Sequence, residues 1–303
     1  MISRELKVSR TAVWKHINSL RDAGYEVEAV PSRGYLLKTT PDILSEDEVR
    51  EKLGGTMIGS RLVCLGTTAS TNSDAFRLAE EGAVEGTVVI ADTQSGGKGR
   101  MGRVWSSPSG VNLYCSVVLR PTIKPYQAPQ LTFLSAVAVA RAIELATALK
   151  PEIKWPNDVL IRGAKVAGLL NEMSAETDGI NFVILGIGVN LNMGATQFPA
   201  DLRSPATSLM LEQGRPVSRA QFAAVMLNEL DRLYGDFLSH GFGPVREEWQ
   251  QRCNAKGREV RVSDGGADTV QGVFNGIDSD GALLVLLQNG TVERILSGDV
   301  RVV

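Results

Sequence analysis

The chain has 303 residues, with 32 Lys and Arg against 34 Asp and Glu, for a formal charge of −2. Hydrophobic residues make up 43% and charged residues 22%, the balance of a protein with a buried core. That excludes disorder and a basic surface throughout, though not a local basic face. At about 100–200 residues per domain, two or three domains are expected. His16 and His240 are the only histidines, which excludes a multi-histidine metal centre and leaves a Ser-His-Asp triad without a convincing nucleophile. Cys64, Cys115 and Cys253 have neither ligand spacing nor the even count of a disulfide framework. The start, Met1-Ile2-Ser3-Arg4-Glu5, is no signal peptide, and the apolar run Leu131–Ala140 meets Arg141 and Glu144 too soon to span a bilayer. These features predict a soluble cytoplasmic protein with no membrane contact.

Residues 1–40 predict a winged helix-turn-helix. A short helix, Ser3–Lys7, precedes a tight turn at Val8-Ser9. Ser9 caps a second helix in which Val13, Ile17 and Leu20 recur at helical spacing, and Gly24 closes it. Glu26–Val30 and Tyr35–Leu37 then read as two strands about a turn. This stretch carries seven Lys and Arg against four Asp and Glu on a chain that is acidic overall. The start of the second helix suits a major groove and the flanking cations suit phosphates, which makes Ser9, Arg10, Thr11, Lys15, His16 and Arg33 the candidate DNA contacts. A complete module needs a helix before Ser3, so the expectation is that either the start is truncated or DNA binding is impaired.

Residues 41–60 read as a linker and a short helix, Glu46–Leu53. In 61–255, strands are expected at Leu62–Leu65, Thr87–Ala91, Asn112–Leu119, Lys165–Met173 and Asn181–Asn190. Helices are expected near Asn72–Glu81, Ala128–Leu149, Arg219–Phe237 and Val245–Gln251. Strands and helices do not alternate strictly, which predicts an α+β fold: a mixed sheet packed by helices. Residues 256–303 predict a small β-barrel from Glu259–Val262, Gln271–Ile277, Leu283–Leu287 and Val292–Leu296, with Asp-Gly and Asn-Gly turns between them.

Four constellations carry chemistry. Gln94–Trp105 packs four glycines and three cations (Lys98, Arg100, Arg103) into twelve residues, a composition that brings backbone N–H groups and positive charge to an anion. Gly97, Gly99 and Gly102 match G-x-G-x-x-G, yet Trp105-Ser106-Ser107-Pro108-Ser109-Gly110 leads into a strand, so a dinucleotide fold is rejected. The second is Lys154-Trp155-Pro156-Asn157-Asp158 followed by Lys165-Val166-Ala167-Gly168, where the glycine within a strand suggests close approach of a ligand. The third, Thr68-Ala69-Ser70-Thr71-Asn72-Ser73, has more polar groups than capping a helix requires. In the fourth, Leu185–Asn192, Gly186 and Gly188 leave room for a flat ligand that Asn190 and Asn192 could bond.

Taken together, these patches resemble the bacterial bifunctional biotin protein ligase and biotin-operon repressor family. The likeness covers nearly the whole chain, from Val8–Ile17 to the terminal barrel. Arginine often stands in the family where this loop has Lys98 and Met101. The resemblance implies a class II synthetase-like catalytic sheet, an SH3-like terminal barrel, and a biotin–[acetyl-CoA-carboxylase] ligase. Such an enzyme joins biotin to ATP with Mg²⁺, forming biotinyl-5′-AMP and pyrophosphate, then passes biotin to a lysine of a carboxylase carrier domain. By the same resemblance, Lys165 and Arg100 stabilise the transferring phosphate and Asp158 orients the acceptor lysine. Ser70, Thr71, Asn72, Gln94, Lys98 and Gly99, with Arg100 and Lys165, bind biotin. Arg103, Trp105, Asn157 and Asn190, again with Arg100 and Lys165, bind the nucleotide. No protein ligand to the metal is identified. Operator DNA is a further partner, and a homodimer is expected when adenylate is bound. A lipoate-type ligase and a ligand-sensing regulator without catalysis are the competing readings. The Gly97–Trp105 loop argues against the first, and the joint presence of Lys165, Arg100 and Asp158 against the second.

Overall fold

The computed structural model describes all residues except 1, 23, 32, 40–41, 55–56, 177–178, 201, 203–204 and 264–268. Packing separates the chain into two units, Met1–Ile43 and Leu44–Val303. In the first, α1 (Ile2–Glu5) precedes α2 (Arg10–Asp22), and β1 (Glu26–Val30) pairs antiparallel with β2 (Gly34–Thr39). Ser9 caps α2 as expected, its Oγ accepting from Ala12 N at 3.1 Å. Val13, Ile17 and Val27 form a small core with Tyr25 and Tyr35 packed against it. Leu20 departs from the expected apolar series and is 39% exposed, because the hairpin residues pack at Val13 and Ile17, nearer the helix start. Arg21 ties helix to hairpin by donating to Val27 O at 2.9 and 2.7 Å.

The second unit opens with α3 (Glu46–Arg50), whose start is capped by Ser45. The central elements follow in the order β3 (Arg61–Thr68), α4 (Thr71–Glu80), β4 (Thr87–Gln94), β5 (Leu113–Leu119), α5 (Gln130–Thr147), β6 (Glu152–Lys154), β7 (Asp158–Ile161), β8 (Ala164–Ala175) and β9 (Ile180–Val189). The strands form one sheet in the order β3-β4-β5-β9-β8-β7-β6, parallel only between β3 and β4. The expected mixed sheet is therefore present. β6 and β7 were not anticipated: three- and four-residue strands carry too little alternation to be read from sequence.

Period-two alternation divides the sheet's two faces. On β9, Val183, Leu185, Ile187 and Val189 enter the main core with α5, α6 (Leu209–Gln213), α7 (Arg219–His240) and α8 (Gly243–Arg252). Phe182 and Ile184 face the other way, into a second cluster with Ala75 and Ala79 of α4, where Phe76 meets Phe182 edge-on at 4.9 Å. Pro125–Thr147 is long and apolar enough to cross a membrane, but 72% of its most apolar window is buried, so α5 is a core helix.

β10 (Glu259–Ser263), β11 (Thr269–Ile277), β12 (Leu283–Leu286), β13 (Val292–Ile295) and β14 (Asp299–Val302) form an antiparallel sheet in the order β13-β12-β11-β10-β14. It locks onto the core at Gly281, whose φ is +87° and whose carbonyl accepts from Trp155 Nε1 at 3.2 Å. A side chain there would collide with the Phe133 ring, so only glycine fits.

The end of β4 is joined to α7 by a buried charge. Arg219 is 4% exposed and lies 2.6 Å from Asp92, which also accepts from Ser109 Oγ and Gly110 N. Burial pushes the Asp92 carboxyl up, but the bonds from Ser109 and Arg219 outweigh it and hold it below its ordinary value of 3.8. Its contribution is therefore complete above that value and is lost as pH falls through the folded value. Asp92→Asn should destabilise by about 1–3 kcal/mol at neutral pH. Thermal melts from neutral pH down to strong acid should show the gap between wild type and variant closing below the ordinary carboxylate range.

Candidate active site

The site is built on two rows of residues crossing the sheet. Asp158 pairs with Gly168, Gly168 with Gly188 and Gly188 with Tyr114, giving one row across β7, β8, β9 and β5. Leu170, Gly186 and Ser116 form the next. Where neighbouring rows carry Phe182 and Ile184, these positions carry glycine, so the face is hollow. A Cβ at Gly188 would lie 2.7 Å from Trp105 Cε2 and Nε1, one at Gly168 2.8 Å from Trp105 Cζ3, and one at Gly186 2.2 Å from Asn72 Oδ1. The Trp105 indole and the Asn72 amide thus rest directly on backbone.

Lys165 reaches this face through a break in register. Val159 pairs with Ala167 but Leu160 with Lys165, leaving Val166 as an extra residue. Regular alternation would put Lys165 in the core beside Ala167. The bulge instead lets Val166 and Ala167 both enter the core and turns Lys165 to the cavity. There its Nζ lies 2.5 Å from Asp158 Oδ1 and 5.3 Å from the centre of the Trp105 ring. The Lys165 backbone is pinned on both sides, by Pro205 O at 2.8 Å and Thr207 N at 2.9 Å.

The glycine loop is a tight hairpin closed by Gly99 N to Arg103 O at 2.7 Å and Trp105 N to Gly97 O at 2.9 Å. Met101 turns the tip with φ +55°. A Cβ at Gly97 would lie 2.4 Å from Trp105 O, so the arms can close only on glycine there. The expectation that no long helix follows the G-x-G-x-x-G holds: one three-residue turn, Arg100–Gly102, interrupts the hairpin, and the chain then runs to β5. Arg100 Nη1 donates to Asn157 Oδ1 at 3.3 Å, joining the loop to the Lys-Trp-Pro-Asn-Asp turn, and Asn157 Nδ2 donates back to Leu169 O at 2.6 Å.

Ser70, Thr71, Asn72, Gln94, Lys98, Gly99, Arg100, Arg103, Trp105, Asn157, Asp158, Lys165 and Asn190 all line one cavity of about 610 Å³, a size suited to a small organic ligand. Several of these side chains bond within the protein. Ser70 occupies the cap position of α4, is 3% exposed and makes no cap bond with its side chain. Gln94 Oε1 accepts from Thr71 N at 2.9 Å, and Asn72 Nδ2 donates to Leu170 O at 3.1 Å and Glu172 Oε2 at 2.7 Å. Asn190 Nδ2 donates to Thr207 O at 3.1 Å. Lys98 pairs with Glu172 at 3.6 Å, and Arg103 with Asp299. Burial pushes the Tyr114 phenol and Cys115 thiol up, so both stay neutral.

Sequence reasoning missed Ser116, Glu172 and the wall formed by Met193, Phe198, Pro199, Leu202 and Ala206. The wall has no periodic pattern. Ser116 was detectable as the one small polar side chain among the apolar and aromatic residues of β5; it is wholly buried and bonds Asn72 Oδ1 at 2.6 Å and Thr71 Oγ1 at 2.8 Å. In the N-terminal unit, Ser9, Arg10, Thr11, Lys15, His16 and Arg33 are all exposed.

Comparison with known proteins agrees with this geometry. The Biotin/lipoate A/B protein ligase family matches residues 66–190, an HTH domain 1–36, and the Biotin protein ligase C terminal domain 257–302. The chain belongs to the biotin protein ligase family. It is 43% identical to the bifunctional ligase/repressor BirA of Bacillus subtilis, over 99% of this chain and 91% of that protein, and 31% identical to BirA of Escherichia coli over 99% and 90%. The biotin protein ligase of Aquifex aeolicus, solved with biotin and ATP, superposes with a TM-score of 0.69 at 29% identity, covering 80% of this chain and all of that one.

Gly188→Val would drive a side chain into the Trp105 indole. It should weaken biotin and ATP binding at least about tenfold by calorimetric titration, while overpacking lowers stability by only about 1–3 kcal/mol in urea.

Proposed function

We propose that the protein is an ATP-dependent biotin protein ligase that acts on a carboxylase carrier domain, with a second role as a biotin-responsive repressor. The observation that carries the first role is Lys165, turned by its bulge into a glycine-floored cavity beside Trp105 and opposite a loop bearing Arg100. In the first step the biotin carboxylate oxygen attacks the α-phosphorus of ATP. The bond to the bridging oxygen breaks, pyrophosphate leaves, and biotinyl-5′-AMP forms. Two anions must meet, so fixed cations in a place shielded from water lower the barrier most. Lys165 contacts the carboxylate and α-phosphate, and Arg100 holds the adenylate under the loop.

Ser70, Thr71 and Gln94 meet the uncharged ureido ring, and Trp105 offers its face to adenine. The Trp105 Nε1 edge is turned to the Gly188 backbone, which leaves the opposite part of the indole for the nucleotide. Asn72 and Lys98 stay in the biotin-binding set, since both line the cavity, and their bonds to Glu172 also hold the site's shape. In the second step an acceptor lysine amine attacks the mixed anhydride and AMP leaves, with Asp158 orienting the amine. Among the described residues no three His, Cys, Asp or Glu cluster, and Asp158 and Glu172 are each paired with a lysine. The described residues offer no cage for Mg²⁺, and the ion would arrive on the triphosphate.

The exposed cations of α2 and Arg33 are the DNA-contacting set, and a homodimer formed with adenylate bound would match a palindromic operator. We keep the functional division 1–40, 41–60, 61–255 and 256–303, and a cytoplasmic location where ATP is supplied and the three free cysteines stay reduced.

The direct test incubates the protein with biotin, Mg-ATP and a carboxylase carrier domain and weighs the acceptor. One biotinyl group on its lysine is expected, and transfer of labelled lipoate instead would favour the lipoate-type alternative. Lys165→Ala should abolish pyrophosphate release while changing biotin affinity less than about threefold, since the binding wall is intact. Arg100→Gly should still make adenylate but release it. Mass spectrometry should then find biotin on lysines of bystander proteins as well as on the carrier.

A further inference from the structure

We propose that two carboxylates outside the reacting groups, Glu172 and Asp299, are positioning residues that clasp the two arms of the glycine loop and set how long an anionic intermediate stays in the cavity. The inference rests on the ligase reading above. The hairpin's internal bonds, Gly99 N to Arg103 O and Trp105 N to Gly97 O, hold its arms to each other and not to the protein. The loop is anchored at its root by Gly96 N to Ala69 O at 2.8 Å and near its tip by Arg100 to Asn157 at 3.3 Å, and the arms between are held by two ion pairs. Lys98 on the outgoing arm lies 3.6 Å from Glu172 Oε1 on β8, and Arg103 on the returning arm pairs with Asp299 at the first position of β14. The loop is thereby tied to the seven-stranded sheet on one side and to the C-terminal sheet on the other.

Glu172 is itself preorganised. Its second oxygen accepts from Asn72 Nδ2 at 2.7 Å, and that amide is 4% exposed and further fixed by Leu170 O and Ser116 Oγ. One carboxylate thus joins the rigid floor of the cavity to the movable edge of its cover. Asp299 is likewise fixed in register by β14, where it pairs with Ser263 of β10. Both ion pairs are partly exposed, at 47% and 33% for Lys98 and Glu172 and 43% and 42% for Arg103 and Asp299. Each is therefore modest and salt-screened, and its effect falls on loop opening more than on the stability of the fold.

The test measures release of labelled biotinyl-5′-AMP from its preformed complex, chased with unlabelled adenylate, at low and at high potassium chloride. At low salt Glu172→Gln and Asp299→Asn should each speed release about two- to threefold, and the double variant about five- to tenfold. Release from the wild type should quicken with salt, and the double variant should respond distinctly less, because the loop's two ion pairs are gone. Glu172→Asp and Asp299→Glu, which keep the charge, should restore the salt response. A double variant that releases adenylate at the wild-type rate would overturn the proposal. So would faster release with an unchanged salt response, because that marks a loss of packing. A wild-type chain that holds no adenylate would overturn the ligase reading itself, and this inference with it.

Discussion

The cavity depends on a stretch of sheet that has no side chains. Along β9 the face that carries Phe182 and Ile184 becomes Gly186 and Gly188, so packing against α4 stops within four residues and bare backbone begins. Gly168 on β8 continues the opening sideways. Such a gap would normally mean lost dispersion contacts and a weaker core. Here the Trp105 indole and the Asn72 amide fill part of it, each at a separation no Cβ would allow. The site is shaped by what the strands omit, and the groups that fill the omission come from the loop and from the start of α4.

Electrostatics follows the same economy. Four cations, Lys98, Arg100, Arg103 and Lys165, border one cavity, an arrangement that would be self-repelling in a low-dielectric space. Each meets an acceptor from another element: Glu172 for Lys98, the Asn157 amide for Arg100, Asp299 for Arg103 and Asp158 for Lys165. Three of the four cations are thus matched by a carboxylate, which offsets their mutual repulsion. In the proposed ligase an incoming polyanion would compete for partners already in place, exchanging one set of ion pairs for another.

Composition made some of this legible and geometry hid the rest. Four glycines and three cations in Gln94–Trp105 marked an anion loop, and the following Ser-Ser-Pro-Ser-Gly excluded a nucleotide-binding helix, as the hairpin confirms. The helices α4, α5 and α7 were readable because ten or more residues display a period. β6, β7 and β14 were too short to display one. Lys165 looked like an ordinary strand-leading lysine, and only the family resemblance singled it out, because a bulge is a pairing between strands and leaves no mark on one of them. Glu172 and Asp299 were invisible for a similar reason: each acts on a residue at least seventy positions away.

Sheet order also explains why the loop is as long as it is. It leaves β4, and its target glycines lie on β9 and β8, with the strands ordered β4-β5-β9-β8. Three strand spacings come to about 14 Å. The hairpin tip at Met101, about four extended residues or roughly 13 Å out, covers that distance, while Trp105 sits at the base beside Gly97 and reaches Gly188 and Gly168 with its indole. The same reach brings Arg100 to Asn157, at the turn joining β6 and β7. Two motifs some fifty residues apart in sequence are therefore matched in length by the sheet between them. Shortening the hairpin arms would withdraw the Arg100 guanidinium from Asn157, so the length of the loop and the position of the cation at its tip are set together.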